Sequence, residues 1–155
     1  MSATGLEVFD KTLQTTNTWL KEIGEDIGPD RQRCYLALRA VLFALRDRLS
    51  HDQAAHLASQ LPMLVRGIFY DGYRPAGKPE LLRSREEFLK KVSMELEQIR
   101  PLGADEAVGA VFKVLERHVT RGELAKVIHT LPEDIRALFP TSAAAESEFN
   151  RPKNS

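Results

Sequence analysis

The stretch LPMLVRGIF, at residues 61–69, recurs 70 residues later as LPEDIRALF at residues 131–139. Both copies follow the pattern Leu-Pro-x-x-aliphatic-Arg-small-aliphatic-Phe. When the comparison is extended without gaps to residues 34–69 and 104–139, nine of 36 positions are identical. Self-similarity at a constant spacing indicates that one structural unit occurs twice. The sequence therefore predicts a duplicated chain.

A second, shorter match concerns the segments that precede these copies. The stretch FDKTLQTTNTWL, which begins at Phe9, aligns with FLKKVSMELEQI, which begins at Phe88. At this offset of 79 residues, Leu13 is the equivalent of Val92 and Leu20 the equivalent of Ile99. The match predicts that the first helix of each copy carries these residues at equivalent positions.

Helix start signals agree with a helical repeat. A Ser or Thr followed three residues later by Glu or Gln is the pattern of a capping box, and it occurs at Thr4, Ser50, Ser84 and Thr120. Together with the apolar periodicity, these signals predict helices near 5–24, 31–49, 51–60, 62–69, 85–99, 104–118, 121–130 and 132–139. Gly24 and Gly28 are typical of helix ends. We therefore predict an all-α, pseudo-duplicated helical bundle of about eight helices in two repeats of four.

The predicted domain organisation follows the repeat. Residues 1–70 are the first helical repeat, 71–83 a linker, and 84–140 the second repeat. The linker contains the helix breakers Gly72, Pro75, Gly77 and Pro79. Residues 141–155 lose the apolar periodicity and are expected to form a flexible tail.

The composition excludes several classes of protein. The 155 residues carry 22 basic and 22 acidic side chains, so there is no broad positive field, and nucleic-acid binding is not expected. Cys34 is the only cysteine, which excludes an intrachain disulfide and a thiolate zinc cage. No stretch has the length and apolarity of a membrane span and the N-terminus has no signal-peptide pattern, so we expect a cytoplasmic protein.

The motif LP-x-x-aliphatic-Arg, the linker FYDGYRPAGKPE and the string RSREEF together resemble the family called domain of unknown function 2267. The resemblance covers Phe9 to Phe139. It implies an all-helical, duplicated, cytoplasmic bacterial protein, and it implies no activity. The second repeat is more polar than the family pattern, because Glu133 and Asp134 stand where the first repeat has Met63 and Leu64.

Residue types that support catalysis or cofactor binding do not form a recognisable pattern. The four histidines (His51, His56, His118 and His129) lack metal-ligand spacing and are expected at the surface. No nucleotide-binding loop or nucleophile motif occurs. Cys34 lies on the apolar stripe of its helix and is expected to be a buried structural cysteine. The cluster formed by Glu22, Glu25 and Asp26 is interpreted as a solvated charge run. We predict no catalytic, metal or cofactor site.

Two pairs of arginines require a separate interpretation. Arg66 and Arg136 occupy the same position in both copies, which indicates that each binds a carboxylate or the carbonyl groups at the end of a neighbouring helix. Arg39 and Arg46 have Gly109 and Glu116 as repeat equivalents, so the shared architecture does not need them. Surface ion pairs are the favoured interpretation for that second pair.

The linker is unusual because it begins with aromatic side chains. One interpretation is that Phe69, Tyr70 and Tyr73 fold back over the seam between the repeats and keep their hydroxyl groups in water. The other is that Tyr70, Tyr73 and Arg74 form an exposed anchor for a partner.

The functional expectation is a non-enzymatic interaction or regulatory module of unknown pathway. The alternative is a small-molecule binder with a pocket between the repeats near Tyr35, Arg39 and Tyr73. The sequence leaves both an unknown protein partner and a homodimer open.

Overall fold

The computed structural model describes residues 3–96 and 102–140. Within these ranges the chain forms eight α-helices and no β-strand. The helices are α1 (Glu7–Ile27), α2 (Arg31–Arg48), α3 (His51–Ser59), α4 (Met63–Tyr70), α5 (Arg85–Glu95), α6 (Ala104–His118), α7 (Arg121–Ile128) and α8 (Glu133–Arg136). The predicted all-α fold is confirmed. The expected flexible tail and the last turn of the predicted helix 85–99 lie outside the described residues.

The core is built from α1, α2, α5 and α6. Helix α1 packs against α2 and α6, and α5 packs against the same two helices. Apolar side chains from both sides of the linker therefore belong to one buried cluster, which includes Trp19, Leu42, Phe88 and Phe112. The order of the helices recurs on both sides of the linker, and duplication as its origin stays a prediction.

The predicted register of the first helices is wrong. Phe9 is 46% and Leu13 38% exposed, whereas Phe88 and Val92 are fully buried. The buried triplet of α1 has the same four-residue spacing as the buried triplet of α5, with Trp19, Ile23 and Ile27 corresponding to Phe88, Val92 and Leu96. The match was based on the shared phenylalanine at positions 9 and 88. It failed because the N-terminal part of α1, about two turns long, extends beyond the core.

Two of the four predicted caps form. Ser50 accepts a hydrogen bond from the backbone N–H of Gln53, and Ser84 accepts one from that of Glu87. Thr4 instead donates its hydroxyl to Asp10, and α1 begins at Glu7 without a side-chain cap. Thr120 also makes no side-chain cap, and the carboxylate of Glu123 contacts His56 of α3 and Lys126.

The end of α1 is set by Gly28 and not by Gly24. Gly28 has a φ of 105°, which disfavours other residues, and its N–H donates to the carbonyl oxygen of Gly24. Gly24 lies inside the helix, where a Cβ atom would stand 3.3 Å from the Cys34 sulfur. The absence of a side chain at residue 24 therefore lets α2 approach α1 closely.

No helix within the described ranges combines the length and apolarity that a membrane crossing requires.

Candidate interaction site at the linker

The linker has a defined backbone path between α4 and α5. Two turns shape it, since Tyr73 N donates to Tyr70 O at 3.0 Å and Lys78 N donates to Pro75 O at 3.2 Å. Gly72 follows the end of α4 with a φ of 70°, a left-handed conformation that glycine adopts at little cost. The linker is thus a sequence of tight turns.

Backbone contacts attach the linker to the end of α2. The guanidinium of Arg46 donates to the carbonyl of Phe69 at 2.9 Å and to the carbonyl of Asp71. Arg48 donates to Leu82 O at 2.7 Å, and Glu80 N donates to Asp47 O at the same distance. The linker is therefore attached near its beginning and near its end to three consecutive residues of one helix.

A chain of paired charges, buried in α2 and half-buried in the linker and α5, reinforces this attachment. Arg46 contacts Asp47 at 3.1 Å, and the other carboxylate oxygen of Asp47 lies 3.0 Å from the Lys91 ammonium of α5. Lys91 also contacts Glu80 at 2.7 Å, and Glu80 contacts Lys78 at 3.1 Å. A buried charge is costly unless it is paired, so each member depends on its neighbours. The chain joins α2, the linker and α5 into one unit.

An arginine–aromatic stack lies beside the charge chain. Arg39 and Arg46 both lie against the ring of Phe43, at 4.8 Å and 4.0 Å from its centroid. The guanidinium of Arg46 is also 5.6 Å from the ring centroid of Tyr73. Arg39 reaches Asp71 of the linker at 3.7 Å. The predicted surface role of Arg46 is wrong, because its side chain is buried and central to the site.

Tyr70 and Tyr73 are half-buried in this stack. Their ring centroids are 5.5 Å apart, and Tyr70 also contacts Phe69 edge to face at 5.1 Å. The Tyr73 hydroxyl is buried without a hydrogen-bond partner among the described residues, so the expectation that it stays in water is wrong. Burial raises the pKa of Tyr73, Asp47 raises it further, and Arg46 opposes them. Burial also raises the pKa of Tyr70.

The outer surface of the linker is basic with one prominent apolar residue. Arg74 and Arg83 are exposed, and neither has a carboxylate partner in the described part of the chain. Leu81 is 75% exposed. Tyr70 and Tyr73 of the predicted partner anchor come together with Arg39 in the stack. Arg74, the third residue of that anchor, lies apart on this outer surface.

A shallow depression of about 330 Å³ separates the linker from α5. Leu82 lines it from the linker side and the exposed Met94 from the helix side. Its other lining residues are charged: Glu80, Glu87, Lys90, Lys91 and Glu95. The cavities of about 440, 580 and 330 Å³ within the described ranges are not lined by Tyr35, Arg39 or Tyr73. The predicted pocket between the repeats does not coincide with any of these three.

The repeat-related arginines have different environments. Arg66 donates to Ala58 O at 2.9 Å and to Leu61 O at 3.0 Å, which are carbonyl groups at and just beyond the end of α3. Arg136 is buried, and its Nε and Nη1 atoms have no hydrogen-bond partner among the described residues.

The acidic run at the end of α1 and His118 of α6 contribute to packing between these two helices. Glu22 contacts His118 at 2.6 Å and Arg117 at 3.4 Å, and Asp26 lies 3.5 Å from Lys113, so the acidic end of α1 is paired with α6. The His118 ring stacks on Trp19 with centroids 5.2 Å apart. The interpretation of a solvated charge run is therefore wrong for Glu22, whereas His118 lies at the surface as predicted.

The remaining candidates for chemistry are placed as follows. Cys34 is a buried free cysteine whose sulfur donates to Gly28 O at 3.3 Å, and burial raises its pKa. Within the described ranges no three His, Cys, Asp or Glu side chains are grouped as metal ligands.

Sequence reasoning missed Asp47, Glu80 and Lys91. The only available signal was the dipeptide Arg46-Asp47 directly after the apolar stripe of α2, on a face that the periodicity places beside the core. Asp47, Glu80 and Lys91 are 11 to 44 residues apart from one another in sequence, so no local pattern connects them.

A family model described as "Uncharacterized conserved protein (DUF2267)" matches residues 16–138. No curated protein matches the chain.

Proposed function

The chain belongs to the DUF2267 family of uncharacterised conserved proteins, and because this membership assigns no activity, we propose a function from the geometry of the linker. The protein is a non-enzymatic interaction module, and its linker is a pre-formed docking surface for an acidic segment of a partner protein. The observation that carries the proposal is the chain of paired charges that fixes a long connection.

The linker is longer than a connection between two helices needs to be. Residues 71–84 form a 14-residue connection between α4 and α5. Loops of this length without secondary structure are uncommon in compact domains and usually have a function. Binding residues also tend to lie on loops that a rigid scaffold positions. A connection that is both long and tightly attached suits a recognition surface better than a spacer.

Fixing the linker reduces the entropic cost of binding. A flexible loop must be ordered when a partner docks, whereas a loop already held by Arg46, Asp47 and Lys91 avoids most of that cost. Burying charges also requires desolvation, so the network is a poor way to gain stability alone. Its benefit is a defined position for the exposed residues of the linker.

The chemistry of the partner follows from the charges. Glu80 is neutralised by Lys78 and Lys91, and Asp71 faces Arg39, so the linker's own acids are already used. Arg74 and Arg83 remain available, and arginine binds carboxylates with two parallel hydrogen bonds. Leu81 is 75% exposed and offers apolar contact two residues before Arg83. The partner segment is therefore acidic and carries an apolar side chain.

The proposal can be tested by site-specific photo-cross-linking in cells that contain the natural partners. A photoreactive phenylalanine analogue replaces Leu81, and a control protein carries it at Val8, which is also exposed but lies on α1. The proposal predicts a dominant adduct from position 81 whose cross-linked peptide is rich in Asp and Glu. That adduct is lost in Arg83→Glu and retained in Lys11→Glu, a matched charge reversal on α1.

Two outcomes contradict the proposal. One is the same set of adducts from positions 81 and 8, which indicates collision without recognition. The other is an adduct at position 81 that survives the Arg83→Glu change.

A further inference from the structure

A groove lies where α1 ends and the chain turns into α2. Its volume is about 440 Å³, within the range of about 300–1,000 Å³ that small-molecule pockets occupy. Asn17, Lys21 and Arg31 line it with polar groups. Leu20 and Pro29 contribute apolar surface. The groove shares no lining residue with the linker site.

Gly24 forms part of the apolar wall of the groove. It lies on the wall formed by α1, and the space that a side chain would occupy at this position is bounded by the Cys34 sulfur and by Pro29. A Cβ atom would stand 3.3 Å from that sulfur and 3.6 Å from the Pro29 Cα atom. The glycine thus lets α2 and the turn at Pro29 pack closely against α1 along this wall of the groove.

The cations that line the groove outnumber its acids. Lys21 has no hydrogen-bond or ion-pair partner in the described part of the chain, and Arg31 has no carboxylate partner there. Glu25 is the one acid that lines the groove, and its carboxylate lies 3.9 Å from Arg117 of α6. The groove therefore carries two cations and one acid, an excess of one positive charge.

Arg31 is held in place although its position does not stabilise its helix. It is the first residue of α2, a turn that contains no acidic residue, and a cation there opposes the helix dipole. Its guanidinium donates one hydrogen bond to the side-chain oxygen of Asn17, which fixes it across the groove and leaves its other N–H groups available. Residues that break a local rule without stabilising the fold are expected at functional sites.

We propose that this groove binds small carboxylic acids that carry an apolar tail. The guanidinium of Arg31 and the ammonium of Lys21 bind the carboxylate, and Asn17 orients Arg31. The tail lies along Leu20, Gly24 and Pro29. The carboxylate alone binds weakly, because exposed ion pairs contribute little. The apolar tail alone also binds weakly, because the groove is open to solvent.

The test is a titration of the full chain followed by backbone amide NMR, with octanoate as the probe. The proposal predicts saturable shifts at Lys21, Gly24 and Arg31. Octanol, which has the tail without the charge, binds about threefold more weakly, the effect expected from losing one exposed charge pair. Acetate, which has the charge without the tail, binds at least about tenfold more weakly, because several methylene groups are no longer buried.

Matched variants separate recognition from loss of structure. Lys21→Gln and Arg31→Gln each weaken octanoate binding about threefold, while Lys11→Gln, an exposed position on the same helix, leaves it unchanged. The spectrum without ligand reports whether each variant is folded. Equal affinity for octanol and octanoate, equal affinity in the three variants, or shifts confined to residues outside the groove would each overturn the proposal.

Discussion

The carboxylate of Asp47 in α2 lies 3.0 Å from the ammonium of Lys91 in α5, with 10% and 20% of the two side chains exposed. The same ammonium holds Glu80 of the linker at 2.7 Å. Hydrogen bonds and charges from Glu80 and Asp47 raise the pKa of Lys91 against the opposing effect of its burial, which is the larger single influence. One lysine therefore connects three parts of the chain that are far apart in sequence.

Removing this connection is expected to destabilise the fold. Lys91→Met leaves Asp47 and Glu80 without their shared cation, and we expect the free energy of unfolding to fall by about 2 kcal/mol, somewhat less than for a fully buried pair. The measurement is equilibrium unfolding in urea. The adjacent exposed Lys90→Met is the control and should change the free energy by no more than about 0.5 kcal/mol. Equal effects of the two substitutions would contradict the role given to Lys91.

The helix caps provide a second prediction because the structure separates similar sequence patterns. Ser50→Ala and Ser84→Ala each remove a hydrogen bond to an N-terminal amide and should cost about 1 kcal/mol. Thr120→Ala should cost clearly less, because Thr120 makes no cap. Urea unfolding of the three variants checks this, and a loss at Thr120 as large as at Ser50 would show that the sequence pattern is the better guide.

The two repeat-related arginines should differ in their contribution to stability. Arg66→Met removes two hydrogen bonds to carbonyl groups around the end of α3 and should cost about 1–2 kcal/mol. Arg136→Met replaces a buried guanidinium whose Nε and Nη1 atoms have no partner in the described ranges, so it should cost less or stabilise the protein. Thermal unfolding measures both. A larger loss at Arg136 than at Arg66 would contradict this assignment.

Stability should decline at alkaline pH. Burial raises the folded-state pKa of Tyr73 above its usual 10.0, and the net pKa of Lys91 is raised above 10.5. The unfolded chain therefore releases these protons at a lower pH than the folded chain. The stabilisation is complete below about pH 10 and is lost as the pH rises through the raised values.

Tyr73→Phe separates the tyrosine from the lysine in this pH dependence. It removes a hydroxyl that has no partner among the described residues, so it should be nearly neutral at pH 7 and should reduce the decline above pH 10. Urea unfolding between pH 7 and pH 11 tests this. An unchanged alkaline decline in the variant would assign the whole effect to other groups.

How much the sequence could predict depended on the range of the interactions involved. Helix α2 followed from an apolar stripe whose members are three or four residues apart, and Ser50 followed from a pattern four residues long. The pairing of Asp47 with Lys91 spans 44 residues and leaves no periodic trace. The equivalence of Phe9 with Phe88 was wrong because it rested on residue type. Phe9 is exposed and Phe88 is buried, and burial depends on contacts with distant helices.

The candidate site was found in part for a physical reason. Aromatic residues in a linker are costly to expose, so Tyr70 and Tyr73 identified the region correctly as something other than a free spacer. The arginine that organises the region, Arg46, was given a surface role because its repeat equivalent is Glu116. Arg46 attaches the linker, and the linker occurs only once in the chain. The two repeats therefore differ at this position.

Backbone ¹⁵N relaxation of the linker amides tests most directly whether this connection is a fixed surface. The account predicts order parameters for residues 72–83 close to those of α2, about 0.85, because Arg46, Glu80 and Lys91 hold the segment. Values below about 0.6 throughout the linker, with α2 remaining rigid, would contradict a pre-formed docking surface.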